Sequence, residues 1–79
     1  MIVTKTAKGF ADRLNQCLDE TGAPIQIRDR ANILSKLLGI QKHQAWSLLS
    51  GQQLPSDDLL QQIAQEFEVN IDWLSGTKQ

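Results

Sequence analysis

The residues whose types could carry out catalytic chemistry are few in this 79-residue chain, and they do not stand at catalytic spacing. His43 is the single histidine, and without a cysteine or carboxylate at ligand spacing it predicts no metal site. Cys17 is the single cysteine, so it has no disulfide partner in the chain and suits a reducing cytosol. Asp57 and Asp58 are typical of charges in the first turn of a helix rather than of an acid–base pair. We therefore expect neither an enzyme nor a bound cofactor.

The charged residues are unevenly distributed. Eight basic against nine acidic residues give a net charge of −1, which by itself argues against a nucleic-acid partner. Up to His43, seven basic side chains stand against four acidic ones, a local charge of +3. From Gln44 onward, one basic residue stands against five acidic ones, a local charge of −4. Because a partner meets the local field, the first part leaves a polyanion open as a partner, and scattered solvated charges are the other explanation.

The apolar spacing predicts five short helices. An apolar fraction of 41% is enough for one small core, and no apolar run reaches the roughly 18–20 residues that span a membrane. The predicted helices cover residues 9–20, 30–38, 42–50, 57–67 and 71–74, with Asp29, Ser56 and Asn70 as N-caps. Residues 25–27 are expected to be a short extended segment. We expect a compact all-α domain over residues 9–76, an N-terminal arm over 1–8 and a tail over 77–79.

The most informative segment joins the second and third predicted helices. Gly39 can take the positive φ that a tight turn needs. Ser35 and Ala45 supply small residues where two helices cross, and Ile40 and Leu48 are placed to fill the angle between them. Two helices joined in this way form a helix-turn-helix.

The segment and the spacing beyond it resemble the lambda-repressor-like helix-turn-helix domains, which include the phage repressors, the Cro proteins and their bacterial relatives. The resemblance covers residues 10–76. Its elements are Leu34-Ser35, Leu38-Gly39-Ile40, Gly51, Pro55, Ile63-Ala64 and the run Val69-Asn70-Ile71-Asp72-Trp73-Leu74-Ser75-Gly76. No one of these motifs is decisive, and their joint order and spacing carry the resemblance.

The resemblance implies a recognition helix over residues 42–50 that lies in the DNA major groove with its N-terminal end toward the bases. With Ala45 facing inward, helical geometry turns four side chains outward: His43, Trp46, Ser47 and Ser50. The expected base contacts are Lys42, His43, Gln44, Trp46 and Ser47. Gln44 suits a bidentate contact to adenine, and Lys42 suits guanine or a phosphate.

Phosphate contacts are expected around this helix. The expected residues are Arg28, Arg30, Gln41, Ser50, Gln52, Gln53 and Ser56. The N-termini of the second and fourth helices are expected to offer backbone N–H groups to phosphates. The loop after the recognition helix lacks the Lys or Arg that many relatives carry, so we expect modest affinity and a shallow salt dependence.

Two residues depart from the family or admit several explanations. Trp46 could contact thymine methyl groups, lie in a dimer or partner interface, or fold back on the surface. Leu37 stands where the family is usually polar, and we expect it to pack beneath Ile25 or Ile27.

The resemblance implies a sequence-specific transcriptional regulator, a repressor of the phage or prophage type, that binds a palindromic operator of double-stranded DNA as a homodimer. The candidate dimer elements are helix 71–74, with Trp73 and Leu74, and the apolar arm at Ile2 and Val3. The sequence shows no sensor domain, so we expect either that DNA binding is controlled by the concentration of the protein or that the chain is the DNA-binding part of a longer regulator. The alternative function is a protein-interaction module of the same fold, antitoxin-like or regulatory, which Trp46 and the acidic second half favour.

Overall fold

The computed structural model describes residues 6–75, which form five α-helices and no strand. The helices are α1 (Ala7–Glu20), α2 (Ile27–Leu38), α3 (Lys42–Leu49), α4 (Asp57–Phe67) and α5 (Ile71–Ser75). The predicted all-α, five-helix class is confirmed. Within the described residues, none of the helices is both long and apolar enough to cross a membrane. The predicted tail and most of the predicted arm, with Ile2 and Val3, lie outside the described residues.

All five helices bury apolar side chains in one core. The largest fully buried side chains are Phe10, Leu14, Leu18, Leu34, Leu48, Ile63 and Leu74. In α1 and α4 the buried positions recur every three to four residues, because that spacing puts them on one face of a helix. α3 packs against both α1 and α2, so the core holds the predicted recognition helix from two sides.

Two helices begin earlier than the sequence predicts. α1 begins at Ala7 rather than at residue 9, since the Thr6 hydroxyl oxygen accepts the Gly9 N–H at 2.9 Å and caps the first turn. α2 begins at Ile27 rather than at residue 30, so the predicted extended segment is wrong at Ile27 and Asp29 is not the N-cap. Ile27 is half-buried against the core, and its packing extends the helix by one turn.

The turn between α2 and α3 is closed by Ser35 and Gly39. Gly39 has a φ of 69°, as predicted, and its N–H donates to the Ser35 carbonyl at 3.0 Å. The Ser35 hydroxyl donates in return to the Ile40 carbonyl at 2.6 Å. Ala45 is fully buried where the helices meet. These bonds fix the position of the first turn of α3 relative to the end of α2.

The predicted N-caps of α4 and α5 are confirmed. The Ser56 hydroxyl accepts the Leu59 N–H at 3.2 Å, and the Asn70 carboxamide accepts the Asp72 N–H at 2.8 Å. The prediction for Leu37 is wrong, because Leu37 is 41% exposed and Ile25 is 89% exposed. Leu37 lies on the flank of the core face of α2, one turn after the exposed Ile33, so its side chain stays partly exposed and does not pack beneath Ile25 or Ile27.

Candidate nucleic-acid interface

A concavity of about 480 Å³ lies between the N-terminal half of α2 and the outer face of α3. Its lining residues are Arg28, Ala31, Asn32, Lys42, His43, Trp46 and Gln52. Lys42, His43 and Trp46 share one face of α3, because residues three and four apart on a helix are neighbours. Gln52 reaches the same site since its backbone N–H donates to the Ser47 carbonyl at 3.0 Å, which holds the loop against α3. We call this site the α2–α3 concavity.

The electrostatics of the α2–α3 concavity differ from those of the rest of the chain. Two cations, Arg28 and Lys42, stand beside one imidazole and two carboxamides, and no carboxylate is among the described lining residues. The whole chain, by contrast, carries a net charge of −1. Positive charge and hydrogen-bonding side chains therefore lie on the same surface. This combination suits a nucleic acid, because its phosphates are negatively charged and its base edges carry hydrogen-bond donors and acceptors.

The two helices that border the concavity also begin without side-chain caps. The first backbone bonds run from the Arg30 N–H to the Gln26 carbonyl at 3.1 Å and from the Ala45 N–H to the Gln41 carbonyl at 3.0 Å. Neither Gln26 nor Gln41 caps its helix with its side chain. The N–H groups of residues 27–29 and 42–44 consequently have no acceptor among the described residues. Both helix dipoles place partial positive charge at this site, and the half-buried Asp29, the one acidic residue in the first turn of α2, offsets part of it there.

The structure does not place Arg30 in the interface. Arg30 is 4% exposed, and its Nε donates to the Pro24 carbonyl at 2.6 Å. Its Nη1 donates to the side-chain oxygen of Asn15 at 2.9 Å and to the main-chain carbonyl at 3.2 Å, and its Nη2 pairs with Asp19. The prediction of a phosphate contact is wrong for Arg30, because the residue is buried and each of its three guanidinium nitrogens donates to a group inside the fold.

The Arg30 network extends to α3, the predicted recognition helix. Asn15, which accepts from Arg30, donates through its Nδ2 to the Leu49 carbonyl at 3.2 Å and to the Ala11 carbonyl at 2.9 Å. One connected set of hydrogen bonds therefore joins α1, α2, the loop between them and the C-terminal end of α3. Arg30 positions α3 from within the fold.

The outward orientation predicted for Ser47 is also wrong. Its side chain is 5% exposed, and the buried residues of α3 are Ala45, Ser47, Leu48 and Leu49. Because α1 and α2 both pack on α3, the buried arc is wider than one helix face. Ser47 has no access to a base.

The remaining predicted contacts fall into two groups. Lys42, His43, Trp46, Arg28 and Gln52 meet in the α2–α3 concavity. Gln44, which is half-buried, and the exposed Gln41, Ser50, Gln53 and Ser56 are not among its lining residues.

The N-terminus of α4 does not match the expected phosphate site. The Ser56 hydroxyl already accepts the Leu59 N–H. Asp57 and Asp58 are exposed in the same turn and would repel a phosphate. The N-terminus of α4 is therefore not part of the candidate interface.

Asn32 and Ala31 line the concavity and were not predicted as site residues. Asn32 stands four residues after Arg28, so the two share one face of α2, and this spacing was visible in the sequence. Ala31 is 3% exposed and forms an apolar part of the lining. Ala31 lines the concavity because α3 packs beside it, and the position of α3 cannot be predicted from the sequence around Ala31.

Cys17 and Leu74 belong to the core. Burial raises the pKa of the Cys17 thiol above its ordinary value, and the charge of Glu20 raises it further. Leu74 is fully buried, so within the candidate dimer element 71–74 its side chain is not available at the surface. Trp73 is half-buried, with the Arg13 guanidinium 6.0 Å from its ring centre.

Comparison with known proteins gives no match to a family model, to a curated protein or to a solved structure.

Proposed function

We propose that the chain binds double-stranded DNA sequence-selectively through the α2–α3 concavity and regulates transcription as a repressor of the phage or prophage type. One observation carries the proposal: two cations, an imidazole, two carboxamides and an indole converge from α2, α3 and the loop after α3, with no carboxylate among the described lining residues. Cations and free N–H groups suit phosphate oxygens, and amides suit base edges. The resemblance to lambda-repressor-like domains supports the same function.

In the proposed complex, α3 lies in the major groove with its first turn toward the bases. Lys42 and His43 contact base edges from that turn. Gln44, which lies just outside the concavity, reaches a neighbouring base. Arg28 and the free N–H groups of residues 27–29 hold a phosphate at the N-terminus of α2. Gln52 contacts the backbone on the other side of α3.

The regulator acts as a homodimer in the bacterial cytoplasm, with two α3 helices about 34 Å apart on a palindromic operator. Eight residues of one α3 helix offer few base contacts, and a two-fold pair doubles them. Because Leu74 is in the core, we assign the dimer contact near α5 to the groove between α4 and α5. Its lining residues are Gln61, Ala64, Gln65, Glu68, Val69 and Ile71.

The experiment is selection of bound duplexes from random DNA with the full chain, followed by titration of the recovered site. Lys42→Ala and Gln44→Ala are each expected to lose about 1–3 kcal/mol of binding free energy. Lys36→Ala is the matched control, because Lys36 is an exposed lysine that does not line the concavity. Equal affinity of all three variants and the wild type would contradict the proposal.

A protein-interaction module is the second candidate function. Ile33 and Leu37, one turn apart on α2, are 36% and 41% exposed, and such apolar pairs favour a protein contact. If selection recovers no duplex even at low salt, this second function replaces the first.

A further inference from the structure

Trp46 is the largest apolar side chain in the α2–α3 concavity. It is 41% exposed although it stands on a helix whose opposite side is fully packed. Ala31 of α2 lines the same concavity and is almost fully buried. The lining therefore combines an apolar area with the cations Arg28 and Lys42. Its ligand should carry a small apolar group close to negative charge.

The DNA major groove presents few groups that meet this description. Base pairs show hydrogen-bond donors and acceptors at their major-groove edges, and the one apolar group among them is the C5-methyl of thymine. The faces of the bases are covered by stacking in an undistorted duplex. 5-Methylcytosine carries the same methyl group at the same ring position.

On the premise of the DNA-binding function above, we propose that the exposed indole of Trp46 forms a binding site for the C5-methyl group of a pyrimidine. Arg28 at the border of the site neutralises the phosphate on one side, and Lys42, four residues before Trp46 on the same face of α3, reaches the neighbouring base. The site makes a 5-methylpyrimidine the required base at one position of each half-site. The chain then distinguishes thymine from uracil by one methyl group.

The first test replaces each thymine of the selected duplex by deoxyuridine, one at a time, because this change removes only the methyl group. Burial of one methyl group predicts an affinity loss of about fourfold at one thymine per half-site. In a parallel arm, each cytosine is replaced by 5-methylcytosine. A gain there with no loss at any thymine assigns the methyl group to 5-methylcytosine, and no effect in either arm overturns the proposal.

The second test is a double-mutant cycle between the methyl group and Trp46. In Trp46→Ala the ratio of affinities for the thymine and uracil duplexes should fall from about four to about one. In Trp46→Phe the ratio should stay near four, since an aromatic six-membered ring is retained while the pyrrole ring with its N–H is lost. A ratio that is unchanged in Trp46→Ala would overturn the proposal even if affinity drops.

Failure of this inference can be told apart from failure of the proposed function. If no duplex is selected, DNA binding is wrong and the methyl site is wrong with it. If a duplex is selected but its affinity depends on no methyl group, DNA binding stands and only the methyl site is wrong. Circular dichroism of each Trp46 variant verifies the fold, and the exposure of Trp46 leads us to expect all of them to fold.

Discussion

Arg28 and Arg30 stand two residues apart on α2, and their surroundings give them different roles. Arg28 is exposed at the border of the α2–α3 concavity. Arg30 is buried and bound to Pro24, Asn15 and Asp19. Residue type alone does not separate the two, because the distinction depends on which side of α2 faces α1.

The two arginines provide a matched pair of variants. Arg28→Ala should change the free energy of unfolding by no more than about 0.5 kcal/mol and reduce the salt dependence of DNA binding by about one phosphate contact. Arg30→Ala should lower the free energy of unfolding by about 1–3 kcal/mol, because it leaves buried acceptors unpaired. Denaturant unfolding and DNA titration measure both effects. An Arg30→Ala protein of wild-type stability with weakened DNA binding would reverse our assignment.

Cys17 gives a prediction of pH dependence. Since burial raises the pKa of its thiol in the folded state, folding favours the neutral form. This contribution to stability is present below the pKa of the unfolded chain, about 8.5, and is lost as the pH rises through the folded-state pKa. The free energy of unfolding should thus fall more steeply above about pH 8.5 in the wild type than in Cys17→Ala. Parallel pH profiles for the two proteins would contradict this.

At the scale of the elements, the helices with strong local signals were predicted well. Ser56 and Asn70 cap α4 and α5 as predicted, because a capping side chain acts within three residues. The start of α2 was missed because Ile27 is held by the core, and its own neighbours in the sequence give no cap. Ser47 and Arg30 were misplaced for the same reason, since α1 covers both from a distant part of the chain.

The element ends give two substitutions of opposite sign. Gly39→Ala should destabilise the fold by about 1–2 kcal/mol through its φ of 69° alone, because an added Cβ would meet nothing within 4 Å. Glu68→Gly should stabilise it by up to about 1 kcal/mol, because Glu68 ends α4 with a φ of 55°. Thermal and denaturant unfolding report both changes. If both substitutions changed the free energy of unfolding in the same direction, backbone conformation would not be what controls the stability of these helix ends.

At the scale of the whole molecule, the net charge of −1 limits affinity without deciding the function. The α2–α3 concavity holds two cations, and exposed acidic residues lie on α4 and at its ends. Because Arg28 contacts a phosphate and Lys42 contacts a base edge, one phosphate contact per protomer gives a slope of log affinity against log salt of about −1, or about −2 for a dimer. DNA titrations from low to physiological salt measure the slope. A slope near −8 would require cations outside the concavity.

The central claim is that DNA occupies the α2–α3 concavity, and an NMR titration of the ¹⁵N-labelled chain with the selected duplex tests it most directly. The free N–H groups of residues 27–29 and 42–44 and the Trp46 indole should show the largest shifts, and α4 and α5 should change only where the protomers meet. Shifts of similar size across the helices, or none at low salt, would contradict the claim.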